Sequence, residues 1–164
     1  MQNGRAGRLH PAVGTARRHL AAALEKLLGA GSIKATGRSR TASTPDTADL
    51  PLLLVACSGG PDSLALVAIA AHFARRGDVR VGAIIVDHGL QENSAAVAAH
   101  TAQTLTDLGL HPVITEKVQV PAGNMGPEMA ARTARYSAFT QAVEATGARA
   151  VLLGHTLDDQ AETV

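Results

Sequence analysis

Leu52-Leu53-Leu54-Val55-Ala56-Cys57-Ser58-Gly59-Gly60-Pro61-Asp62-Ser63 is the stretch on which the fold of this chain turns. Its first five residues show no polar alternation, the pattern of a strand buried on both faces, as a parallel sheet with helical cover requires. Residues 58–63 then bring two adjacent glycines and a proline, and a helical run opens at Asp62. In a strand–loop–helix unit of this kind, successive backbone N–H groups can converge on an anion while the helix N-terminus adds its positive dipole end. The dipole alone contributes about 0.3–1 kcal/mol per charge at a surface, so several N–H donors and hydroxyls must supply the rest. The same residues also suit a plain turn with a helix cap. The loop lacks the Lys of a Walker A loop and the spacing of a dinucleotide fingerprint.

Downstream of this unit, short apolar runs alternate with longer helical ones. Strands are expected at 52–56, 79–86, 112–118 and 150–154, and helices at 62–76, 94–108 and 127–145. Gly77, Gly109 and Gly147 each follow a helical run, where left-handed caps belong. This βα alternation predicts an α/β fold, a Rossmann-like, doubly wound parallel sheet with helices on both faces and right-handed crossovers. Ligands bind such sheets at the carboxyl ends of the strands. Three of the four expected strand ends carry polar clusters, at 58–63, at Asp87-His88 and at 155–162.

Upstream, residues 13–28 show the periodicity of an amphipathic helix, expected to pack on the main body, with Gly29 as a stop. Residues 29–49 have no apolar period and read as a flexible linker or insertion. The expected organisation is therefore a basic N-terminal helix and linker over 1–49 and a nucleotide-binding domain over 50–164.

Composition narrows the functions available. The formal net charge is +1 and the aromatic residues are one Tyr and two Phe, with no Trp. A purely electrostatic nucleic-acid binder and a base-stacking platform are both disfavoured, although an enzyme with RNA contacts elsewhere is not. Arg5, Arg8, Arg17, Arg18, Lys34, Arg38 and Arg40 make the N-terminal segment basic, which suits a solvated tail as well as an RNA arm. The single cysteine, Cys57, rules out an internal disulfide and reads as a small buried apolar residue. No stretch has the apolar length of a membrane span and no signal peptide is evident, so a cytoplasmic protein with no membrane partner is expected.

The helix expected at 127–145 places Glu128, Arg132, Arg135, Phe139 and Ala142 on one stripe. Its C-terminal part is apolar, so the charges of its N-terminal part are expected to face inward, where they need partners or an anionic ligand. Arg132 is the first candidate for that ligand and Arg135 the second.

Residues 58–63 resemble the SGGxDS loop of the N-type ATP pyrophosphatases, the PP-loop superfamily, which cleave ATP between its α and β phosphates. Residues 153–164, Leu-Gly-His-Thr-Leu-Asp-Asp-Gln-Ala-Glu-Thr-Val, resemble the HxLDDQAET signature of the tRNA(Ile)-lysidine synthetases. Residues 86–90 resemble that family's DHGLR segment, and 128–136 its EAAARxxRY helix. The resemblance runs in order from Leu52 to Val164, with Gln91 standing where the family usually has Arg.

Several expectations follow from the resemblance. The fold is of the adenine nucleotide alpha hydrolase type. Ser58, Gly59, Gly60 and Ser63 cradle the pyrophosphate of ATP, Asp62 helps hold Mg²⁺, and Asp87 and His88 stand where adenine or ribose is read. Arg132 and Arg135 serve the α-phosphate, while Asp159 and Glu162 grip the substrate lysine, with Asp159 also counted as catalytic. The implied reaction ligates free L-lysine to C2 of the wobble cytidine of tRNA(Ile) bearing a CAU anticodon, through an adenylated tRNA, releasing AMP and pyrophosphate. Thiolation of a tRNA by another PP-loop enzyme and a non-catalytic nucleotide-binding remnant remain as alternatives, and homodimerisation remains open. In the family it resembles the last helix continues into further domains, so the nucleotide domain is expected to be incomplete at its C-terminus, and whether it is active alone is left open.

Overall fold

The computed structural model describes residues 10–33, 47–89, 92–119 and 126–154. Contacts divide the chain into two units, residues 1–39 and 40–164. Asp159, Glu162 and the rest of the 155–164 motif lie outside the described residues, as does Gln91.

In the first unit, helix α1 spans Pro11–Leu28. It begins two residues before the expected start because Pro11 has the fixed φ that suits a first helical position and His10 Nδ1 accepts from the Ala12 N–H at 3.3 Å. Gly29 ends it, donating to the Glu25 carbonyl at 3.0 Å.

The second unit follows the expected alternation. It runs through β1 (Leu52–Ala56), α2 (Pro61–Arg75), β2 (Arg80–Asp87), α3 (Ser94–Asp107), β3 (Val113–Lys117), α4 (Pro127–Thr146) and β4 (Ala150–Leu152). The four strands form one parallel sheet in the order β3-β2-β1-β4. Two steps carry the chain one way across the sheet, and the third returns it past β1. With right-handed crossovers, that reversal places α4 on the face opposite α2 and α3, which is the doubly wound arrangement expected. Gly77, Gly109 and Gly147 all have positive φ after their helices.

Side-chain parity shows the two layers. Leu52, Leu54 and Ile84 pack with Phe139, Ala142 and Ala148 on the α4 side, with Ala56, Val86 and Val151 against them. The odd-numbered Leu53 and Val55 are equally buried and point to the other face, where α2 contributes Val67, Ala70 and Phe73. Burying each such aliphatic side chain contributes about 1.5–3 kcal/mol, so β1 is anchored from both sides. A close approach is built in at Gly82, where a Cβ would meet the Pro112 carbonyl oxygen at 2.5 Å and Leu54 Cδ2 at 2.9 Å. The carboxyl ends of β1, β2 and β4, held in register by Ala56 beside Ile84 and Val55 beside Leu152, share one edge.

Candidate nucleotide site

The bend after β1 is made by three local events. Cys57 stays in the sheet, its N–H donating to the Ile84 carbonyl at 2.9 Å. Gly59 then turns with φ +82, a left-handed conformation that a side chain would strain. Gly60 caps α2, with Pro61 as its first residue. The Ser63 hydroxyl donates back to the Gly60 carbonyl at 2.9 Å, and Ser58 Oγ lies 3.5 Å from Ser63 Oγ. The turn is thereby closed on itself, with the unpaired N–H groups of the first turn of α2 at its mouth. Ser58 and Asp62 are exposed, whereas Ser63 is buried.

Two cavities meet at this bend. One, of about 220 Å³, is walled by Ala56, Ile84, Val86, Phe139 and Leu153 and carries Ser58, Ser63, His88 and Arg135 as its polar groups. Gly154, past the end of β4, belongs to the same wall; a Cβ there would lie 3.3 Å from the Asp62 carbonyl oxygen. The other cavity, about 270 Å³, lies on the α3 side and shares Ser58 and His88 with the first.

Asp87 and His88 end β2 beside both. The buried Asp87 carboxylate accepts from the Gly89 N–H at 2.9 Å. That bond, with help from the Ser94 hydroxyl and then the charges of Lys117 and His88, holds its pKa below the ordinary 3.8 against the opposing effect of burial. Burial first, and the Arg135 guanidinium second, push the His88 pKa below its ordinary 6.5, with the Asp87 charge opposing. Among the described residues His88 Nδ1 has no hydrogen-bond partner although it is buried. An imidazole with a free buried nitrogen beside a cavity suits a ligand that supplies a hydrogen bond.

Of the residues singled out from sequence, the structure brings Ser58, Gly59, Gly60, Asp62, Ser63, Asp87, His88 and Arg135 to one edge of the sheet. The α4 stripe needs correction at its N-terminal end. Glu128 is exposed and does not face inward. Arg132 is not among the residues lining the first cavity and instead places its guanidinium 5.3 Å from the Tyr136 ring centroid. Among the described residues no cluster of three metal-ligating side chains occurs, so an Mg²⁺ at Asp62 would take its remaining ligands from phosphate and water, as that ion commonly does. Two residues of the site were not foreseen. Gly154 packs against the start of α2, and Thr101 on α3 reaches Gly59; Thr101 shares a buried stripe with Ala98 and Leu105, and a hydroxyl on such a stripe is the signal that marks it.

Residues 35–164 match the family model of the PP-loop domain. The chain belongs to the PP-loop domain family. Membership implies that this PP-loop domain binds ATP. Its curated relatives include the tRNA(Ile)-lysidine synthase of Leifsonia xyli subsp. xyli, 58% identical over 113 residues, which are 69% of this chain and 34% of that protein. The synthases of Bifidobacterium longum subsp. infantis and Thermobifida fusca are 55% and 54% identical, over 71% and 76% of this chain and 30% and 39% of theirs. The chain thus spans about a third of the length of these relatives. Among solved structures, the U34-tRNA thiolase NcsA from Methanococcus maripaludis with its [4Fe-4S] cluster superposes with a TM-score of 0.58 at 17% identity, covering 89% of this chain and 47% of that one. That likeness shows the fold. Among the described residues of this PP-loop domain, no helix is long and apolar enough to cross a membrane.

Proposed function

We propose that the cavity between the phosphate loop and α4 holds ATP, and that the domain carries out the adenylation half of lysidine synthesis on tRNA(Ile). The observation that carries this reading is the arrangement of one cavity, with an apolar wall of Ala56, Ile84, Val86, Phe139 and Leu153 suited to a base, and Ser58, Ser63, Arg135 and the α2 N-terminus at its rim suited to phosphates. The identity of 50–58% to tRNA(Ile)-lysidine synthases directs the choice of acceptor.

In the first step the O2 oxygen of the wobble cytidine attacks the α-phosphorus of ATP, the bond to the bridging oxygen breaks, and pyrophosphate leaves. Charge builds on the phosphates, and fixed N–H groups, hydroxyls and a guanidinium stabilise it without reorganising. The position of Arg135 on the cavity wall favours it over Arg132 for the α-phosphate. Asp62, at the α2 start, would hold Mg²⁺, which supplies further charge neutralisation when bound. In the second step the lysine ε-amine attacks C2, AMP leaves with the original oxygen, and the amine gives up a proton. Asp159 and Glu162, three residues apart, are assigned to capture the lysine by the resemblance of their motif.

The test is to incubate the chain, alone and within a protein of the relatives' length, with ATP, lysine and tRNA(Ile), following pyrophosphate, AMP and lysine incorporation. Lysine-dependent release of AMP with label transferred to the tRNA is expected in the longer protein. Label transferred only when a sulfur donor replaces lysine would identify a thiolation enzyme. ATP binding with no turnover in either form would identify a nucleotide-binding remnant.

A further inference from the structure

Thr101 is a threonine on α3, a helix that the ATP reading does not otherwise use. It is 7% exposed, and among the described residues its hydroxyl has no hydrogen-bond partner. Five other helical threonines behave differently. Thr104, Thr106, Thr133, Thr140 and Thr146 each turn the hydroxyl onto the carbonyl four residues back, at 2.6–3.1 Å, the usual resting place for such a group in a helix. Thr101 presents its hydroxyl to the phosphate loop instead. A Cβ on Gly59 would lie 3.0 Å from Thr101 Oγ1 and 3.9 Å from its Cγ2, so the oxygen is the nearer atom. The same side chain lines the α3-side cavity with Ser58, Asp87 and His88.

The loop has a difficulty that this contact answers. Glycine visits positive and negative φ about equally, so Gly59 and Gly60 alone do not keep their N–H groups turned to a common point. A phosphate cradle binds well only if its donors are oriented before the ligand arrives. Ser63 closes the α2 side of the turn through the Gly60 carbonyl, but that bond does not reach Gly59. The group packed against Gly59 from outside the loop is Thr101.

We propose that Thr101 is a positioning residue of the phosphate loop: its hydroxyl, held against Gly59 by α3, keeps the left-handed turn in the state that receives the polyphosphate. The inference rests on the reading of the loop as an ATP site.

The experiment compares Thr101→Val, which keeps the shape and removes the hydroxyl, with Thr101→Ser, which keeps the hydroxyl. Dissociation constants for ATP, inorganic pyrophosphate and adenosine are measured on each by calorimetry, with the melting temperature alongside. Thr101→Val is expected to weaken ATP and pyrophosphate about three- to tenfold, because a bulkier methyl group replaces the oxygen that lies against Gly59 and shifts the turn, and to leave adenosine unchanged. Thr101→Ser is expected to stay within about twofold of the parent for all three ligands. Should the valine variant fold poorly, Thr101→Ala against Thr101→Ser isolates the same hydroxyl. Equal weakening of ATP and adenosine, a serine variant as weak as the valine one, or unchanged ATP affinity in a folded valine variant would each overturn the proposal. A parent protein that binds none of the ligands would defeat the ATP reading itself, and this inference with it.

Discussion

The His88 imidazole is biased toward its neutral form. Burial and the neighbouring Arg135 hold its pKa below 6.5 in the folded protein, while the unfolded chain keeps the ordinary value. Above about pH 6.5 the imidazole is largely neutral in both states and imposes no penalty. As pH falls through 6.5 toward the folded value, the unfolded chain binds the extra proton and stability drops. The melting temperature is therefore expected to decline as pH falls below about 6.5, and His88→Gln to flatten that decline. An unchanged slope in the variant would place the proton-linked group elsewhere. Asp87 acts in a separate window: with its pKa below 3.8, its contribution is complete above that value and is lost only as pH falls through the folded one. Gly59 poses a steric question instead of an electrostatic one. A side chain at φ +82 costs about 1–2 kcal/mol on backbone grounds alone, and its Cβ would press on Thr101. Gly59→Ala is expected to weaken ATP binding more than about tenfold, read by titration, while the rest of the sheet still folds cooperatively.

Helix α4 explains why Arg135 lines the first cavity and Arg132 is not among its lining residues. A crossover helix runs antiparallel to the strands it joins, so α4 starts beyond their carboxyl ends and descends over the sheet. Phe139 and Ala142 lie over β1 and β2, Arg135 is at the rim, and Arg132 is three residues further out, about 4.5 Å along the axis. Arg135→Ala is accordingly expected to slow pyrophosphate release in the presence of tRNA about 10- to 100-fold, and Arg132→Ala by less than about fivefold. The reverse order would return the phosphate role to Arg132. The same geometry shows what the sequence could and could not say. Element types were legible because apolar periods of two kinds alternate along the chain, and boundaries moved by only one or two residues, as at Pro11 and Leu152. The glycine bend after β1 was legible because its parts are consecutive. Which of Arg132 and Arg135 lines the cavity depends on the height of α4 above the strand ends, which a helical stripe does not encode. The contacts of Thr101 with Gly59 and of Gly154 with Asp62 join residues more than forty positions apart and were out of reach for the same reason.

For the molecule as a whole, the chain corresponds to about a third of its synthase relatives, so the division of labour within the proposed lysidine synthesis becomes testable. In the proposed reading, holding ATP and stabilising charge on its phosphates draws on the loop, α2 and Arg135, all at one edge of the sheet. Capturing a cationic amino acid needs carboxylates, and the HxLDDQAET resemblance assigns these to Asp159 and Glu162. If the two tasks are separate, their losses should be separable too. In a protein of the relatives' length, Asp159→Ala is expected to lower lysine incorporation about 10- to 100-fold, the effect of losing one charge-assisted hydrogen bond. Pyrophosphate release with ATP and tRNA(Ile) should stay within about threefold of the parent, because the proposed assignment gives that carboxylate no part in activating the α-phosphate. Raising the lysine concentration should restore part of the incorporation, since the defect lies in capture. If pyrophosphate release and lysine incorporation fall together and excess lysine restores neither, Asp159 serves the nucleotide, and the amino acid must be held by other residues.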